Sequence, residues 1–478
     1  MNIFNISRTL LILTIAAASV QTRADWFDDF KQQATPRELY TFLYAMPKGG
    51  DLHNHLSGAG LSKWWYDLAV DESRNGGYRY YTKVKINNCR AFGSNEFGSS
   101  PYRVRLRNIQ QSTYDRLDDC EKSEYMPLAD LDEEEKLAWY NSIRLDKNYE
   151  GRQEFFGRHW QRLNELSANP HLIAELLVKN MQAFGREGLL YLETQSGVLG
   201  YKKPDGSDFS PEDVADIYRA RLTKDDAKET GVTVRLQQSI LRFHPKAVEM
   251  LDFVYRFVDK NRDLYVGVNM VGREDNDKGF PLRFLPKLRE LRRQIPKVAL
   301  SIHGGEVDEP NAHVRDTLLL GAERIGHGVN LISDPDTMLL MRNGPYLVEI
   351  NLISNLLLEY VQDYAQHPFP EYLRFGIPVA LSTDDRGMWD SNMTDEYLVA
   401  VKEFNVSWDE LVSMGRNSLQ HGFMDADTRQ RLLVEYDRRI ESFAKRFKRR
   451  GVKSLAKVKP VSYSFTCKRY KICLPSGE

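Results

Sequence analysis

The chain has 478 residues, of which 66 are Lys or Arg and 67 are Asp or Glu, so its formal net charge is −1. That balance excludes a generally basic nucleic-acid coat protein and an acidic solvating tail. Hydrophobic residues make up 42% and charged residues 28%, which is ordinary globular usage and excludes a disordered or fibrous chain. The length suits two or three domains, or one α/β barrel with insertions.

The first 24 residues have the pattern of an export signal. Arg8 precedes a short apolar run over 10–18, and the triplet 22–24 (Thr-Arg-Ala) offers small residues at the −3 and −1 positions of a cleavage site. A membrane anchor is the alternative, but it needs about 20 apolar residues and Gln21 interrupts this run much sooner. We therefore predict cleavage near Ala24 and export to the periplasm or the medium.

From residue 48 onward, short apolar runs alternate with longer segments of helical periodicity. The strand candidates are 50–56, 188–195, 232–241, 265–271, 298–303, 324–327, 346–350 and 378–383. The helix candidates include 170–185, 213–230, 247–262 and 284–294. Nearly continuous apolar runs such as 189–192 are typical of strands buried on both faces. Eight strands separated by helices predict a closed (β/α)₈ barrel, rather than an open sheet, within a single domain over 25–478.

One segment, residues 66–151, breaks this alternation. It follows the first strand directly, and it is polar and irregular, with the pairs Gly76-Gly77 and Asn87-Asn88. Its aromatic residues and the cysteines at 89 and 120 favour a small folded lobe over a disordered loop. We therefore predict an inserted lobe on the barrel, with a surface available for contact with a partner.

The four cysteines are an even number, as expected for disulfides in an exported protein. Three pairings are possible, and the simplest joins Cys89 to Cys120 and Cys467 to Cys473, because each pair then lies within one segment. A zinc-binding cysteine cluster is the alternative, but no Cys-x-x-Cys spacing occurs. We predict two structural disulfides.

Near the C-terminus, residues 438–459 form a basic stretch with helical spacing. Most such runs are solvated helix faces, and we favour that interpretation over nucleic-acid or membrane binding. No later segment is long and apolar enough to cross a bilayer. We therefore expect neither a nucleic-acid partner nor stable membrane insertion for the mature chain.

Histidines and carboxylates gather at the predicted C-terminal ends of strands, the edge at which barrel enzymes build active sites. These residues are His53, His55, His303, Glu306, His327, Asp384 and Asp385. His53 and His55 are two positions apart, so on a strand both imidazoles can point the same way and hold one metal ion. Hydrogen bonding in a polar core is the alternative for such a pair.

The chemistry of this set follows from its charge. Three neutral imidazoles and one carboxylate would leave a divalent zinc with residual positive charge and an open position for water. Zinc lowers the pKa of bound water to about 7. A neighbouring His or Asp can accept the proton, while a separate carboxylic acid donates one to the substrate. The pattern predicts hydrolysis at an electrophilic carbon.

The motifs, in their order, resemble the adenosine deaminase family of the amidohydrolase superfamily. Residues 46–59 (MPKGGDLHNHLSGA) resemble the family's opening MPK…LHxHLxG signature, and 303–306 (HGGE) resemble its HAGE motif. Residues 324–328 (RIGHG) and 382–385 (STDD) resemble two further family motifs. Over about 46–422, the resemblance implies a barrel with deaminase activity.

A finer resemblance is to the secreted adenosine deaminase growth factor branch, also called the adenosine deaminase 2-like group. It rests on residues 268–275 (VNMVGRED) and 349–355 (EINLISN). The predicted export signal and the disulfide-bearing insertion after the first strand are also similar to that branch.

The family resemblance implies one zinc ion per chain, held by His53, His55, His303 and Asp384. It also implies a purine nucleoside as the small-molecule substrate. The mature chain would then be a zinc hydrolase whose ligands come from three separate strand ends.

The resemblance also implies the roles of the remaining site residues. Glu306 would protonate N1 of the purine, which makes C6 electrophilic. His327 would orient and polarise the attacking water, and Asp384 would help to take its proton. Asp385 would bond N7 of the purine, and the backbone N–H of Gly272 would bond N3.

Three positions depart from the family pattern. Gly304 replaces the alanine of HAGE, which loosens the backbone but keeps both functional side chains. Arg386 replaces the usual proline after the paired Asp, which puts a cation near the purine edge or in the loop that carries Asp385. Ser57 stands where many members carry an Asp that contacts the ribose.

These departures leave three functions open. The leading hypothesis is deamination of adenosine, and of 2′-deoxyadenosine, to inosine and ammonia. The first alternative is a deaminase of another aminopurine, such as adenine or a modified or phosphorylated adenosine, which Arg386 and Ser57 motivate. The second is a catalytically silent binding or signalling protein on the same fold.

Overall fold

The structure is a computed structural model of the protein. It describes residues 26–90, 103–147, 149–275, 278–309 and 311–475. The predicted export signal, residues 1–24, lies outside this part of the chain. Among the helices of the described residues, none has the length and apolar character needed to span a bilayer.

Eleven strands lie in two sheets within the described residues. They are β1 (Lys48–Asp51), β2 (Tyr80–Lys83), β3 (Asn108–Gln110), β4 (Tyr125–Pro127), β5 (Leu189–Gln195), β6 (Thr233–Leu241), β7 (Tyr265–Val271), β8 (Ala299–Gly304), β9 (Arg324–His327), β10 (Leu347–Ile350) and β11 (Val379–Leu381). The larger sheet has the order β1-β5-β6-β7-β8-β9-β10-β11, and all its pairings are parallel. The smaller one, β3-β2-β4, is antiparallel.

The large sheet closes on itself where the chain after β11 meets the chain after β1. The N–H of Asp384 donates to the carbonyl of His53 at 2.9 Å, and the N–H of His55 donates to the carbonyl of Asp384 at 3.2 Å. With helices between successive strands, the structure confirms the predicted (β/α)₈ barrel. Closure therefore brings two of the predicted ligand segments into direct contact.

The helices follow the strands around the barrel. They are α1 (Trp26–Gln33), α2 (Pro36–Ala45), α3 (Leu56–Ala59), α4 (Ser62–Ala69), α5 (Gln111–Tyr114), α6 (Asp119–Lys122), α7 (Glu133–Ile143), α8 (Arg152–Glu154), α9 (Trp160–Leu163), α10 (Pro170–Arg186), α11 (Pro211–Leu222), α12 (Asp225–Lys228), α13 (Ala247–Lys260), α14 (Leu285–Arg292), α15 (His313–Leu319), α16 (Pro335–Asn343), α17 (Leu352–Leu357), α18 (Phe369–Phe375), α19 (Arg386–Trp389), α20 (Met393–Phe404), α21 (Trp408–Gln420), α22 (Ala426–Arg450) and α23 (Ser464–Tyr470). Local sequence explains their ends. Asn169, for example, accepts from the N–H groups of His171 and Leu172, and Pro170 occupies the first turn of α10.

Several predicted boundaries differ from the structure by a few residues, and two of the differences are substantial. The first strand ends at Asp51 rather than at residue 56, so His53 and His55 lie in the irregular segment that follows it. The predicted helix over 213–230 is two helices, α11 and α12, separated at Thr223-Lys224. In the first case the Asp51 carboxylate accepts from the N–H of His53, and isolated parallel bridges at Asn54 and His55 follow in place of a regular strand.

The lobe after β1 is built on the three-stranded sheet. Cys89 and Cys120 form a disulfide at its edge, and Cys467 and Cys473 form a second one near the C-terminus, as predicted. The chain then returns to the barrel through α7 to α9, where a π-helical turn spans Phe155–His159.

The basic C-terminal stretch belongs mainly to α22. Phe443 and Phe447 are buried against Phe42 on α2, whereas Lys445, Arg446 and the residues 448–450 are exposed. One face of the helix therefore packs on the domain while its charged face meets solvent.

Candidate metal centre and active site

The four predicted ligands converge at the mouth of the barrel. His53, His55, His303 and Asp384 each offer one ligand atom, and these atoms all lie within 4.8 Å of one another. Nε2 of His55 lies 3.2 Å from Nε2 of His303 and 3.2 Å from Oδ1 of Asp384. Ring nitrogens and a carboxylate oxygen aimed at a common point are a donor set for a divalent cation.

The outer hydrogen bonds of two histidines turn their lone pairs towards this point. Nδ1 of His53 lies 2.7 Å from a carboxylate oxygen of Glu349, and Nδ1 of His303 lies 2.9 Å from the amide oxygen of Asn269. Both partners accept, so each Nδ1 carries the proton and each Nε2 is free to bind a metal. Nε2 of His53 is buried and has no hydrogen-bond partner in the described part of the chain, which fits a metal at this position.

Glu349 is in turn held by a buried cation. Nε of Arg324 lies 2.7 Å from Oε1 of Glu349, and the Arg324 guanidinium also forms two hydrogen bonds with Glu193. Burial alone would raise the pKa of Glu349, but the charge of Arg324 and the hydrogen bond to His53 hold it below its ordinary value. The carboxylate therefore stays ionised and strengthens His53 as a ligand.

Two site residues have an unusual backbone conformation that directs their side chains in a way that a regular strand would not. Asp384 has φ 53° and His327 has φ 68°, both in the left-handed region that side chains other than glycine seldom adopt. Gly326 precedes His327, and a Cβ there would lie 2.5 Å from Cε1 of His53. The glycine of the RIGHG motif thus makes room for a metal ligand.

Glu306 has the properties of a general acid. Its side chain is almost completely buried, and Oε1 lies 3.6 Å from Nε2 of His327. Burial raises the pKa of Glu306 well above its ordinary value, and the charges of Asp384 and Glu274 raise it further. The protonated form of Glu306 is therefore favoured, and that form can deliver a proton.

A buried ion pair, which sequence reasoning missed, holds the loop that carries Glu306. Nη1 of Arg242 donates to Glu274 at 3.1 Å and to the carbonyl of His303 at 2.8 Å. The other oxygen of Glu274 accepts from the N–H of Gly305 at 3.1 Å. The pair is therefore hydrogen-bonded to the backbone on both sides of Gly304, at the carbonyl of His303 and at the N–H of Gly305. Its members are far apart in sequence, and only the presence of Glu274 in the 268–275 motif pointed towards it.

The remaining predicted residues lie at the same edge. Oδ1 of Asp385 is buried and has no partner within the described residues, and burial, then the charge of Asp384, raises its pKa. A Cβ on Gly58 would lie 1.6 Å from this oxygen, so only glycine fits opposite it. Gly272 directly follows β7, with φ 92°.

Arg386 follows Asp385 as the first residue of α19, and its guanidinium is turned into the protein. It is fully buried, 4.8 Å from the ring of Phe184 and 5.6 Å from that of Trp64, with Glu187 3.8 Å away. Arg386 therefore packs between α4 and α10 as a structural cation.

Residues 127–439, which form most of the barrel, match the sequence profile described as "Adenosine deaminase". The chain belongs to the adenosine deaminase family. It is a metal-dependent aminohydrolase with a His/Asp cluster suited to a metal ion. The matched residues include His303, Glu306, His327 and Asp384, whereas His53 and His55 precede them on the other side of the lobe.

Several relatives are similar to this family member at low identity. An adenosine deaminase-like protein from Drosophila pseudoobscura pseudoobscura is 26% identical over 282 residues, 59% of this chain and 78% of that protein. An adenine deaminase from Chelativorans sp. (strain BNC1) is 28% identical over 282 residues, 57% of this chain and 80% of that protein. A zinc-bound amidohydrolase from Burkholderia ambifaria shares the fold with a TM-score of 0.56 and 18% identity, covering 86% of this chain and 96% of that one.

Proposed function

We propose that this family member is an exported zinc enzyme that deaminates adenosine and 2′-deoxyadenosine to inosine and ammonia. One observation carries the proposal: a four-ligand metal centre lies beside a buried Glu306, whose pKa is raised, and beside Asp385, whose Oδ1 has no partner among the described residues. A metal centre, a proton donor and a free hydrogen-bonding group are what hydrolysis of an aminopurine requires at C6, N1 and N7.

His53, His55, His303 and Asp384 would hold one zinc ion. Bound there, zinc would supply Lewis acidity and lower the pKa of water to about 7. The zinc-bound relative of the same fold supports this choice of metal.

The protein's own groups would then move two protons. Glu306 gives its proton to N1 as the π electrons of the C6–N1 bond move to that nitrogen. The water oxygen forms a bond to C6 while one water proton passes to Asp384. Asp384 returns that proton to the amino group, and the C6–N bond breaks to release ammonia. The remaining hydroxyl proton restores Glu306, which leaves the 6-oxopurine.

Asp385 would orient the purine. N7 of a purine is an acceptor, so a carboxyl group can bond it only when protonated. The raised pKa of Asp385 supports that state. In this pose the backbone N–H of Gly272 would reach N3, as the family resemblance implies.

The direct test is turnover by the zinc-loaded chain, residues 25–478, with adenosine, 2′-deoxyadenosine, adenine and AMP, followed by the ultraviolet change from aminopurine to oxopurine. We expect kcat/KM to be highest for the two nucleosides. Turnover of none of the four would contradict the proposal. The Glu306→Gln variant serves as the matched inactive control.

A second candidate substrate is another aminopurine, because one relative is an adenine deaminase. The same assay separates the two: a kcat/KM for adenine or AMP above that for adenosine would establish the alternative. The packing of the Arg386 guanidinium against Phe184, with Glu187 3.8 Å away, gives this alternative less support than the sequence did.

We also place the enzyme in the secreted growth-factor branch, on its 268–275 and 349–355 motifs and its disulfide-bearing lobe. Export after cleavage near Ala24 is part of this proposal. N-terminal sequencing of the protein recovered outside the cytoplasm would test it. A mature chain that still began at Met1 would contradict it.

A further inference from the structure

A chain of hydrogen bonds runs from a backbone amide to His327. The N–H of Phe369 lies 3.1 Å from Nδ1 of His367, and Nε2 of His367 lies 3.0 Å from Oδ1 of Asn355. Nδ2 of Asn355 lies 2.9 Å from Nδ1 of His327. The three side chains are buried, so water does not interrupt the chain.

The first group in this chain fixes the direction of all the others. A backbone N–H can only donate, so Nδ1 of His367 accepts. A neutral imidazole then carries its proton on Nε2, which donates to Asn355 Oδ1. The amide oxygen of Asn355 is thereby occupied, and its NH₂ group must face His327. Nδ1 of His327 therefore accepts, and the ring proton of His327 lies on Nε2.

The surroundings of His367 support its neutral form. Its ring lies near Phe369 and Phe404, and burial lowers its pKa to about 3. A second amide, Asn351 Nδ2, lies 3.3 Å from His327 Nδ1. Its Oδ1 has no hydrogen-bond partner among the residues described, so Asn351 is not locked in one orientation as Asn355 is.

We propose that Asn355 and His367 are positioning residues that fix His327 as an Nε2–H donor, so that His327 meets the attacking water as a hydrogen-bond donor. Nε2 of His327 is buried without a partner in the described structure, 3.6 Å from Glu306 and 4.0 Å from Oδ2 of Asp384. Both separations are too long for a direct hydrogen bond, and they leave this N–H free to contact the water oxygen.

This assignment rests on the proposed function and completes its proton balance. His327 donates a hydrogen bond to the water oxygen and keeps its proton throughout. The oxygen lone pair forms the bond to C6, and the water proton passes to the Asp384 carboxylate. His327 thus stabilises charge on the oxygen, in the manner of an oxyanion-hole donor.

Neutron diffraction of the deuterium-exchanged, zinc-loaded protein at neutral pD reads the tautomer directly. We expect deuterium on Nε2 of His327 and of His367, with both Nδ1 atoms bare. Deuterium on Nδ1 of His327 would overturn the proposal. Since this result does not depend on turnover, it is distinguishable from a failure of the proposed function, which the purine assay reports.

The Asn355→Asp variant supplies the kinetic test. A carboxylate accepts from Nδ1 of His327 and should move the ring proton there, which leaves Nε2 as an acceptor. We expect kcat to fall about 100-fold, the loss typical of removing one oxyanion donor, with KM and zinc content nearly unchanged. A kcat equal to that of the unaltered enzyme would contradict the proposal.

The matched control is Asn180→Asp. Asn180 is also fully buried, and its amide donates to the carbonyl of Leu176 within α10, away from the site. This variant measures the general cost of burying a new carboxyl group, and its kcat should match that of the unaltered enzyme. An equal loss of kcat in both variants would mean that the effect of Asn355→Asp is structural.

Discussion

Histidines serve both the metal side and the proton-transfer side of the site, but their ring protons lie on opposite nitrogens. On the metal side, Nδ1 of His53 faces the Glu349 carboxylate and Nδ1 of His303 faces an amide oxygen, so their lone pairs point inward. On the proton-transfer side, Nδ1 of His327 faces amide NH₂ groups. A histidine whose Nδ1 faces an acceptor carries its proton there, so its Nε2 can bind a metal. A histidine whose Nδ1 faces a donor carries its proton on Nε2 and acts as a hydrogen-bond donor there.

The largest effect should come from removing a ligand on the metal side. We expect His303→Ala to lose zinc and deaminase activity together, because a three-ligand set binds the ion much more weakly. Metal analysis beside the activity assay checks this. His171→Ala, a partly buried histidine on α10 outside the cluster, should change neither value. Full zinc content in the His303 variant would break the assignment of the metal side.

Glu306→Gln separates the two sides. Glutamine keeps the shape of the side chain but has no acidic proton, so kcat should fall about 10²–10⁴-fold while zinc content is unchanged. Glu309→Gln changes the same residue type in the same loop and should leave kcat unaltered. Zinc loss in the Glu306 variant would show that this carboxyl belongs to the metal side.

The pH dependence sharpens the role of that acid. Glu306 must be protonated to act, and its pKa is raised by burial. We therefore expect kcat to be maintained below the raised pKa and to fall as pH increases through it. If kcat instead fell already in mildly acidic solution, as it would for a carboxyl group with an ordinary pKa, the assignment would be contradicted.

Glu349→Gln tests the charged support of the metal side. The hydrogen bond to His53 can persist, but the negative charge behind the ligand is lost. Outer-shell changes of this kind typically weaken metal affinity about 10–100-fold, which competition with a chelator measures. Glu193→Gln is the matched control, since it alters the other partner of Arg324 without touching His53.

The smallest effect on catalysis should come from the lobe. Replacing Cys89 and Cys120 by Ser opens a loop with a sequence separation of 31, which should cost about 2–4 kcal/mol of unfolding free energy. We expect kcat to be unchanged, because this disulfide holds the lobe and not the mouth of the barrel. Thermal unfolding and the purine assay together check both halves of the prediction.

The sequence by itself predicted the barrel and favoured the two local disulfide pairings, from the alternation of strands and helices and from cysteines that lie within one segment. The resemblance of its motifs to the adenosine deaminase family implied the four-ligand set and the role of Glu306. Because the C-terminal ends of all barrel strands meet at one edge, local patterns were enough to predict that the ligands converge.

Only the tertiary structure decided which groups stand behind the ligands and the acid. His53 and Glu349 are 296 positions apart, and Arg242 and Glu274 lie on different strand ends. The direction of the hydrogen bonds from His367 through Asn355 to His327 depends on one backbone N–H, that of Phe369. The buried position of Arg386 depends on how the helices pack around it. Such pairs leave no periodic trace in the sequence, because each contact is made by folding rather than by spacing along the chain.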